Sequence, residues 1–366
     1  MNLSFLDPAK TENWDELILS FPSYSFFHSS DWAKVLQETY NFKPHYLKVT
    51  DSGDIKAILP MMEVDSLFTG RRAVSLPFSD FCEPLISSGV NLKHLRHHVL
   101  NYSKQKGFNS LEFRDSEVHL DNSIIIPAGY QHILDLSLSE EQLFMHLSDS
   151  NKRNIKKAIK CRVSFEINNS LSALENFYMM NCYTRRRHGL PPQPLKFFRK
   201  LYDIILSKNK GFICISKHNG KGIAAAVFLL IGQKALFKYG ASLFQYQNLR
   251  PNNILFWESI KYLKDQGFSE LNFGRTELEN IGLRRFKLGW GTEEKVLNYY
   301  RFELGKNGKI YTSTRSLKQR RLPLHRFPIF LLRMIGSIVY KHIATLLINI
   351  PILELIRNLN LCYVYQ

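Results

Sequence analysis

A few polar and charged residues beside glycines form the part of this sequence that could do chemistry. Lys287 lies in the segment Arg284-Arg-Phe-Lys-Leu-Gly-Trp-Gly291, whose glycines allow the backbone to come close to a ligand. Arg275 follows Gly274 at the end of a predicted strand, which is where the sites of α/β proteins usually lie. Both cations could stabilise negative charge that develops on an oxygen atom during a reaction.

Two neighbours of these cations could take part in proton transfer. Asn272 and Glu277 flank the end of the same predicted strand and could orient a substrate amine or accept its proton. Structural alternatives stay open at this point. Lys287 could be an ordinary lysine at a strand end, and Arg275 could form a surface salt bridge.

A second group of residues could hold the phosphates of a cofactor. Arg250, Asn252 and Asn253 precede or open a predicted helix, and the N-terminus of a helix attracts anions. Arg153 and Lys157 lie on another predicted helix and could also hold phosphate. The alternatives are an ordinary helix cap at Asn252 and Asn253, and simple surface charge at the other positions.

Other kinds of site are not indicated. No Gly-x-Ser-x-Gly motif occurs, and the five cysteines include no CxxC pair, which is typical of a protein of the reducing cytoplasm. His28, His188 and His218 do not have the spacing of metal ligands, so no metal is predicted. Residues 1–7 do not resemble a secretion signal, and a cytoplasmic location is expected.

The net charge of +17 predicts attraction to polyanions such as phosphate-bearing substrates, nucleic acid or anionic lipid. Basic residues are dense at 151–162 and 315–326. One alternative function is therefore a basic nucleic-acid-binding protein, although the sequence has no helix-turn-helix, RNP or zinc signature and no DNA partner is expected. A further alternative is a non-catalytic scaffold.

An internal repeat predicts the architecture that must position these residues. Gly107-Phe-Asn-Ser-Leu-Glu-Phe-Arg114 recurs as Gly267-Phe-Ser-Glu-Leu-Asn-Phe-Gly-Arg275. Each copy follows a helix-like run, and each is preceded by a predicted hairpin, at 45–60 and at 211–231. The pattern predicts two α/β units with mixed sheets, in which the strands at 107–114 and 267–275 are equivalent.

The predicted organisation is a first unit at 1–135, a second unit at 136–305 and a basic tail at 306–366. Within the tail, residues 326–346 have the pattern of an amphipathic helix. Its charges are too frequent for a membrane-spanning helix. Two interpretations remain for it: association with an anionic membrane surface through 315–346, or packing on the body of the protein.

Five stretches resemble the FemAB-like transferases, also described as BioF2-like acyltransferases. They are Phe27-His-Ser-Ser-Asp-Trp-Ala33, Arg153-Asn-Ile-Lys-Lys-Ala158, Tyr183-Thr-Arg-Arg-Arg-His-Gly-Leu-Pro191, Leu271-Asn-Phe-Gly-Arg275 and Gly282-Leu-Arg-Arg-Phe-Lys-Leu-Gly-Trp-Gly291. The resemblance covers about residues 25–305. It implies an α/β fold of two tandem GNAT-like domains, here followed by the helical tail.

The resemblance also implies a function. It implies an acyltransferase that moves an acyl group from acyl-CoA, or an aminoacyl group from aminoacyl-tRNA, to an amino group of a cell-envelope precursor. The acceptor would be a lipid-linked or nucleotide-linked precursor of polysaccharide or peptidoglycan, used at the inner face of the plasma membrane. The matching lysine of the family is assigned to the reaction centre, which makes Lys287 the first candidate and the second unit the expected catalytic one.

Overall fold

The computed structural model describes residues 2–66, 70–87, 90, 92–114, 123–304, 310–311 and 324–343. Its helices are α1 (Trp14–Leu19), α2 (Ser30–Tyr40), α3 (Leu92–Gln105), α4 (Glu140–His146), α5 (Asp149–Lys160), α6 (Leu171–Arg187), α7 (Leu195–Ile204), α8 (Pro251–Asp265), α9 (Ile281–Leu288) and α10 (Ile329–Ile343). Its strands are β1 (Asn2–Leu6), β2 (Lys43–Pro44), β3 (Tyr46–Asp51), β4 (Asp54–Leu59), β5 (Met62–Ser66), β6 (Gly70–Val74), β7 (Leu85–Ile86), β8 (Ser110–Arg114), β9 (Ile124–Asp135), β10 (Ser164–Ile167), β11 (Gly211–His218), β12 (Lys221–Ile231), β13 (Lys234–Ser242), β14 (Glu270–Thr276), β15 (Glu293–Leu304) and β16 (Ile310–Tyr311).

One large sheet runs through both predicted units. Its strand order is β10-β11-β12-β13-β14-β9-β15-β8-β6-β5-β2, and β16 pairs with β15. At its centre, β9 and β15 pair with each other, and each also pairs with the other unit: β9 with β14, and β15 with β8. The sheet is therefore continuous across the predicted boundary at 135, and the exact limits of the units stay a prediction.

The predicted repeat is visible in the strand pairing. β8 is parallel to β6 and antiparallel to β15, and β14 is parallel to β13 and antiparallel to β9. The two Gly-Phe strands thus hold equivalent positions on either side of the centre. α3 and α8 precede them and stop at Gly107 and Gly267, both of which have positive φ.

The two predicted hairpins form, but they lie in different sheets. Ser52-Gly53 joins β3 to β4 and Asn219-Gly220 joins β11 to β12, all four with the positive φ that tight hairpin turns need. In the second unit, β12 is one continuous strand that pairs with β11 and β13. The corresponding segment of the first unit is divided at Pro60 into two strands, β4 and β5. Proline cannot donate a ladder hydrogen bond. β4 consequently joins a small sheet of order β1-β3-β4-β7, and β5 joins the large one.

The tail helix α10 packs on the body of the protein, the second of the two predicted arrangements. Leu332, Ile335 and Val339 are buried on the face that contacts β5 and α6. Gly336 is required there because a Cβ atom would lie 2.0 Å from the Pro192 carbonyl oxygen. Arg72 donates to the His342 carbonyl at the C-terminal end of the helix. Residues 315–323 of the basic block and 344–346 of the predicted helix lie outside the described residues.

Candidate active site between the two units

Lys287 is buried, and two backbone carbonyls hold its amine. It lies in α9 rather than at a strand end, and it is 2% exposed. Its Nζ donates to the carbonyl oxygens of Gly274 at 2.9 Å and Arg275 at 3.0 Å. An ammonium group has three hydrogens to donate, so these two bonds leave the third for a ligand.

The carbonyls face Lys287 because β14 bulges at this point. The register with β9 shifts between Asn272 and Arg275, and Gly274 has a φ of +68°. The Asn272 side chain stabilises the bulge by accepting a hydrogen bond from the Gly274 amide at 2.8 Å. Asn272 therefore shapes the site through the backbone.

Burial lowers the pKa of Lys287 to about 7. The negative charge of Asp80 acts in the opposite direction, while the positive charges of Arg275 and Lys238 lower the pKa further. Lysines with a pKa near neutrality are common among catalytic groups, since either protonation state is then accessible.

Asp80 reaches this site from the first unit, and the sequence interpretation missed it. A Cβ atom on Gly274 would lie 3.0 Å from Asp80 Oδ2, so the carboxylate adjoins the same bulge that holds Lys287. The preceding segment contains Leu76 and Phe78 at φ values of +54° and +59°, which bulky side chains rarely adopt. Backbone strain of this kind is concentrated at functional sites.

Lys238 of β13 fixes the Asp80 carboxylate from the second unit. Its Nζ donates to Asp80 Oδ2 at 3.2 Å and to the Phe78 carbonyl at 2.8 Å. The lysine side chain is 1% exposed and lies over the Phe27 ring at 4.8 Å. One sequence signal could have revealed Lys238: it is the single charged residue in the otherwise apolar run 235–241.

Arg275 and Glu277 have different environments. The Arg275 side chain is only 6% exposed, donates to the Ala128 carbonyl at 2.7 Å and pairs with Glu277 at 3.3 Å. The surface-salt-bridge alternative therefore does not describe Arg275, although Glu277 itself is 55% exposed. The structure thus brings Lys287, Arg275 and Asn272 together, with Glu277 at the rim.

A polar cluster beside Lys287 holds α9 against the sheet. Arg284 of α9 makes two hydrogen bonds of 2.7 Å to Glu294 of β15 and lies 4.0 Å from the centre of the Tyr130 ring. Glu294 also lies 3.1 Å from buried His132 of β9. Burial, aided by the charge of Lys287, lowers the pKa of His132 to about 4, so it is neutral at physiological pH.

A polar cleft of about 340 Å³ lies where the first turns of α5, α8 and α9 meet. Its lining consists of Ser150, Asn151, Asn154, Gln247, Arg250, Pro251, Asn252, Asn253, Gly282, Arg285 and Phe286. Three of the predicted cofactor-binding residues are among them. Arg153 and Lys157 lie instead on the exposed side of α5 and are not part of the lining.

The cleft has features of an anion site that the sequence only partly indicated. α8 begins at Pro251 with Arg250 as its N-cap, and no side chain caps it, so Asn252 and Asn253 do not act as caps. Asn253 donates to Asn151 Oδ1 at 3.0 Å, and the buried Asn151 Nδ2 has no hydrogen-bond partner among the described residues. Uncapped N–H groups and an arginine from each of two segments favour a negatively charged ligand.

Comparisons with known proteins agree with this geometry. Residues 149–294 match the model of an acetyltransferase (GNAT) domain. A lipid II:glycine glycyltransferase of Staphylococcus haemolyticus is 29% identical over 167 residues, which are 42% of this chain and 39% of that protein. The chain therefore matches about two fifths of the length of this relative.

Solved structures show the fold. A crystal structure of FemX has a TM-score of 0.66 at 14% identity and covers 82% of this chain and 97% of that one. A tandem GNAT protein from the clavulanic acid biosynthesis pathway has a TM-score of 0.53 at 12% identity, with 83% and 99% covered. The fold is a tandem GNAT fold. The predicted resemblance to FemAB-like transferases of GNAT type is confirmed.

Proposed function

We propose that this protein is an acyltransferase that moves an acyl or aminoacyl group to an amine of a cell-envelope precursor. The observation that carries the proposal is the meeting of Lys287 and Asp80 at the Gly274 bulge. Amine acylation needs a cation, which stabilises the oxyanion, and a base such as a carboxylate, which accepts the proton of the amine. The name of the glycyltransferase relative supports an envelope precursor as the acceptor.

In the proposed reaction the amine nitrogen attacks the carbonyl carbon of the donor. The third N–H of Lys287 donates to the oxyanion that forms, and Asp80 accepts the proton that the amine loses. The oxyanion then re-forms the carbonyl, the bond from the carbonyl carbon to the donor's sulfur or oxygen breaks, and the departing atom takes up the proton that Asp80 accepted. Arg275, buried beside Lys287, adds positive charge to the same region.

The cleft at the starts of α5, α8 and α9 is proposed to hold the phosphates of the donor. Both candidate donors, acyl-CoA and aminoacyl-tRNA, carry phosphate, and the cleft by itself does not distinguish them. The acceptor is proposed to be lipid-linked or nucleotide-linked and to be used at the inner face of the plasma membrane.

Transfer assays test the proposal with both donors in parallel. Purified protein is incubated with radiolabelled acetyl-CoA or with bulk radiolabelled aminoacyl-tRNA. The acceptors are lipid II, its nucleotide-linked precursor and an amino-sugar nucleotide. We expect radiolabel to be transferred to one of the acceptors from one of the donors. The transfer measured with the Lys287→Met variant gives the background. The absence of transfer above that background for every pair would overturn the proposal.

Arg285→Ala is expected to raise the KM for the donor by about 10–100-fold and to change kcat only slightly. The physical reason is the loss of a charge-assisted hydrogen bond to phosphate, worth roughly 1.5–3 kcal/mol. Steady-state kinetics at saturating acceptor measure both constants. Lys160→Ala, an exposed cation at the far end of α5, is the matched control and should leave KM unchanged. An equal increase in both variants would point to general charge attraction rather than a site.

The pH dependence of kcat/KM is expected to show a decline as pH rises through about 7. The proposed role needs the Lys287 ammonium, which loses its proton at the lowered pKa of about 7 instead of near 10.5. A pH profile of the wild type should show this limb, and the residual activity of Lys287→Met should lack it. A rise through pH 7 would mean that the neutral amine is the active form, and the oxyanion role would be wrong.

A further inference from the structure

The segment 76–80, which ends in Asp80, has no helix or strand and is held by side chains from other parts of the chain. Three of these side chains, from Arg114, Lys238 and Tyr299, donate to four of its five backbone carbonyls. Two residues of the segment have positive φ, a conformation that persists only where the surrounding structure over-determines it. These hydrogen bonds therefore maintain the shape of the segment.

Tyr299 of β15 holds the backbone of Asp80 itself. Its hydroxyl donates to the Asp80 carbonyl oxygen at 2.7 Å, and the tyrosine is buried. Burial raises the pKa of Tyr299 to about 12, so the hydroxyl keeps its proton and remains a donor at neutral pH. The carboxylate of Asp80 is bound separately by Lys238. Asp80 is therefore held at two points, and together they fix the direction in which its carboxylate points.

Arg114 of β8 holds the part of the segment that precedes Asp80. It is buried, and its Nη1 donates to the carbonyl oxygens of Leu76 at 3.1 Å and Ser79 at 2.6 Å. Its Nε and Nη2 donate to Glu112 Oε1 at 3.1 and 3.0 Å, which keeps the guanidinium in place. Because a guanidinium is planar and its N–H groups have fixed directions, Arg114 joins the segment to β8 with a defined geometry.

Arg114 and Tyr299 are neighbours on paired strands. They lie opposite each other in the register of β8 and β15, and the Arg114 guanidinium lies 5.2 Å from the centre of the Tyr299 ring. In the internal repeat, Arg114 corresponds to Arg275 of β14. Both arginines are buried side chains that donate to backbone carbonyls. The first unit thus holds Asp80 with an arginine at the position where the second unit has Arg275.

We propose that Tyr299, supported by Arg114, is a positioning residue that holds the Asp80 carboxylate beside the Gly274 bulge. The inference rests on the proposed function, in which Asp80 accepts the proton of the acceptor amine. Tyr299 acts through the backbone of Asp80 and does not itself take part in proton transfer. Its effect on the rate comes from geometry, because a reacting group that is misplaced by about 1 Å can lower the rate by about 100-fold.

Steady-state kinetics of Tyr299→Phe, with the donor and acceptor found in the transfer assays, test the proposal. Phenylalanine keeps the ring but has no hydroxyl to donate to the Asp80 carbonyl. We expect kcat to fall by about 10–100-fold. The KM for the donor should not change, since Tyr299 is not part of the polar cleft. The matched control is Tyr46→Phe: Tyr46 is fully buried, and its hydroxyl has no hydrogen-bond partner among the described residues. Equal kcat values for the two variants would overturn the proposal.

A double-mutant cycle separates positioning of Asp80 from a general structural role. Asp80→Asn removes the proposed base and should lower kcat by about 100–10,000-fold. If Tyr299 acts through Asp80, adding Tyr299→Phe to this variant should lower kcat no further. Additive losses would mean that Tyr299 acts by another route, and the proposal would be wrong. Arg114→Lys, which keeps the charge but not the planar fork, should show the same lack of additivity and takes the place of Tyr299→Phe if that variant does not fold.

Crystal structures of the wild type and of Tyr299→Phe give a second measurement that needs no substrate. We expect the distance from Asp80 Oδ2 to Lys238 Nζ, 3.2 Å in the wild type, to lengthen beyond hydrogen-bond reach in the variant. An unmoved carboxylate would refute the positioning role even if transfer activity were found. A displaced carboxylate in a protein without transfer activity would support the role of Tyr299 in holding Asp80 and would overturn only the proposed function.

Discussion

Lys287→Met is expected to lower turnover by about 100–1,000-fold, the usual loss when one oxyanion contact is removed. Methionine fills a similar volume but has no hydrogen to donate, so the oxyanion loses the third N–H of the ammonium. Lys287→Arg is expected to be poor as well. A planar guanidinium is wider than an ammonium, and two carbonyls 2.9 and 3.0 Å from Nζ leave no room for it.

Single-turnover measurements with the donor and acceptor found in the transfer assays give the rate, and circular dichroism confirms the fold. Glu277→Gln is a suitable comparison, since it lies at the exposed rim and should reduce turnover far less. Near-normal turnover of Lys287→Met would remove this residue from the reaction, and Arg275 would become the next candidate.

Lys238→Met is expected to destabilise the protein by about 3–5 kcal/mol, which is the usual effect of removing one partner of a buried ion pair. Asp80 would then hold its negative charge without the cation 3.2 Å away, and the Phe78 carbonyl would lose its donor. These contacts join β13 of the second unit to the 75–80 segment of the first unit. We therefore expect Lys238→Met to weaken the packing between the two units.

Urea unfolding followed by tryptophan fluorescence measures this effect. The double variant Lys238→Met/Asp80→Asn should recover much of the lost stability, since neither partner is then charged. Lys56→Met, which breaks the exposed pair with Asp54, should change stability far less. If Lys238→Met were no less stable than Lys56→Met, the ion pair would not be a structural link between the units.

The sequence by itself determined the features that depend on neighbouring residues. The hairpins at Ser52-Gly53 and Asn219-Gly220 and the helix ends at Gly107 and Gly267 were predicted, and the structure has positive φ at each of these positions. These features are local, because a left-handed backbone conformation favours glycine and asparagine whatever surrounds it. The repeat of such signals was enough to predict two similar units.

The candidate site was only partly predictable. Glycines mark the segments that contain Lys287 and Arg275, and the resemblance to the FemAB-like transferases made Lys287 the first candidate. Asp80 and Lys238 were missed because their role depends on the ion pair between them. The two residues are far apart in the sequence and belong to different units. Contacts of this kind depend on strand order in the sheet, which no local pattern specifies.

The tertiary structure alone decided what covers the amphipathic helix α10. An apolar side is expected for a helix that packs on the protein and also for one that lies on a membrane. The hydrophobic pattern predicts that this side is buried, but it does not identify the surface that buries it. Gly336 permits the close approach to Pro192, and Arg72 is available at the C-terminal end, so the apolar side packs on the protein. The tertiary structure also decided that β9 of the first unit pairs with β14 of the second, and that β15 of the second unit pairs with β8 of the first. Strands pair with their neighbours in space, and these neighbours are distant in the chain.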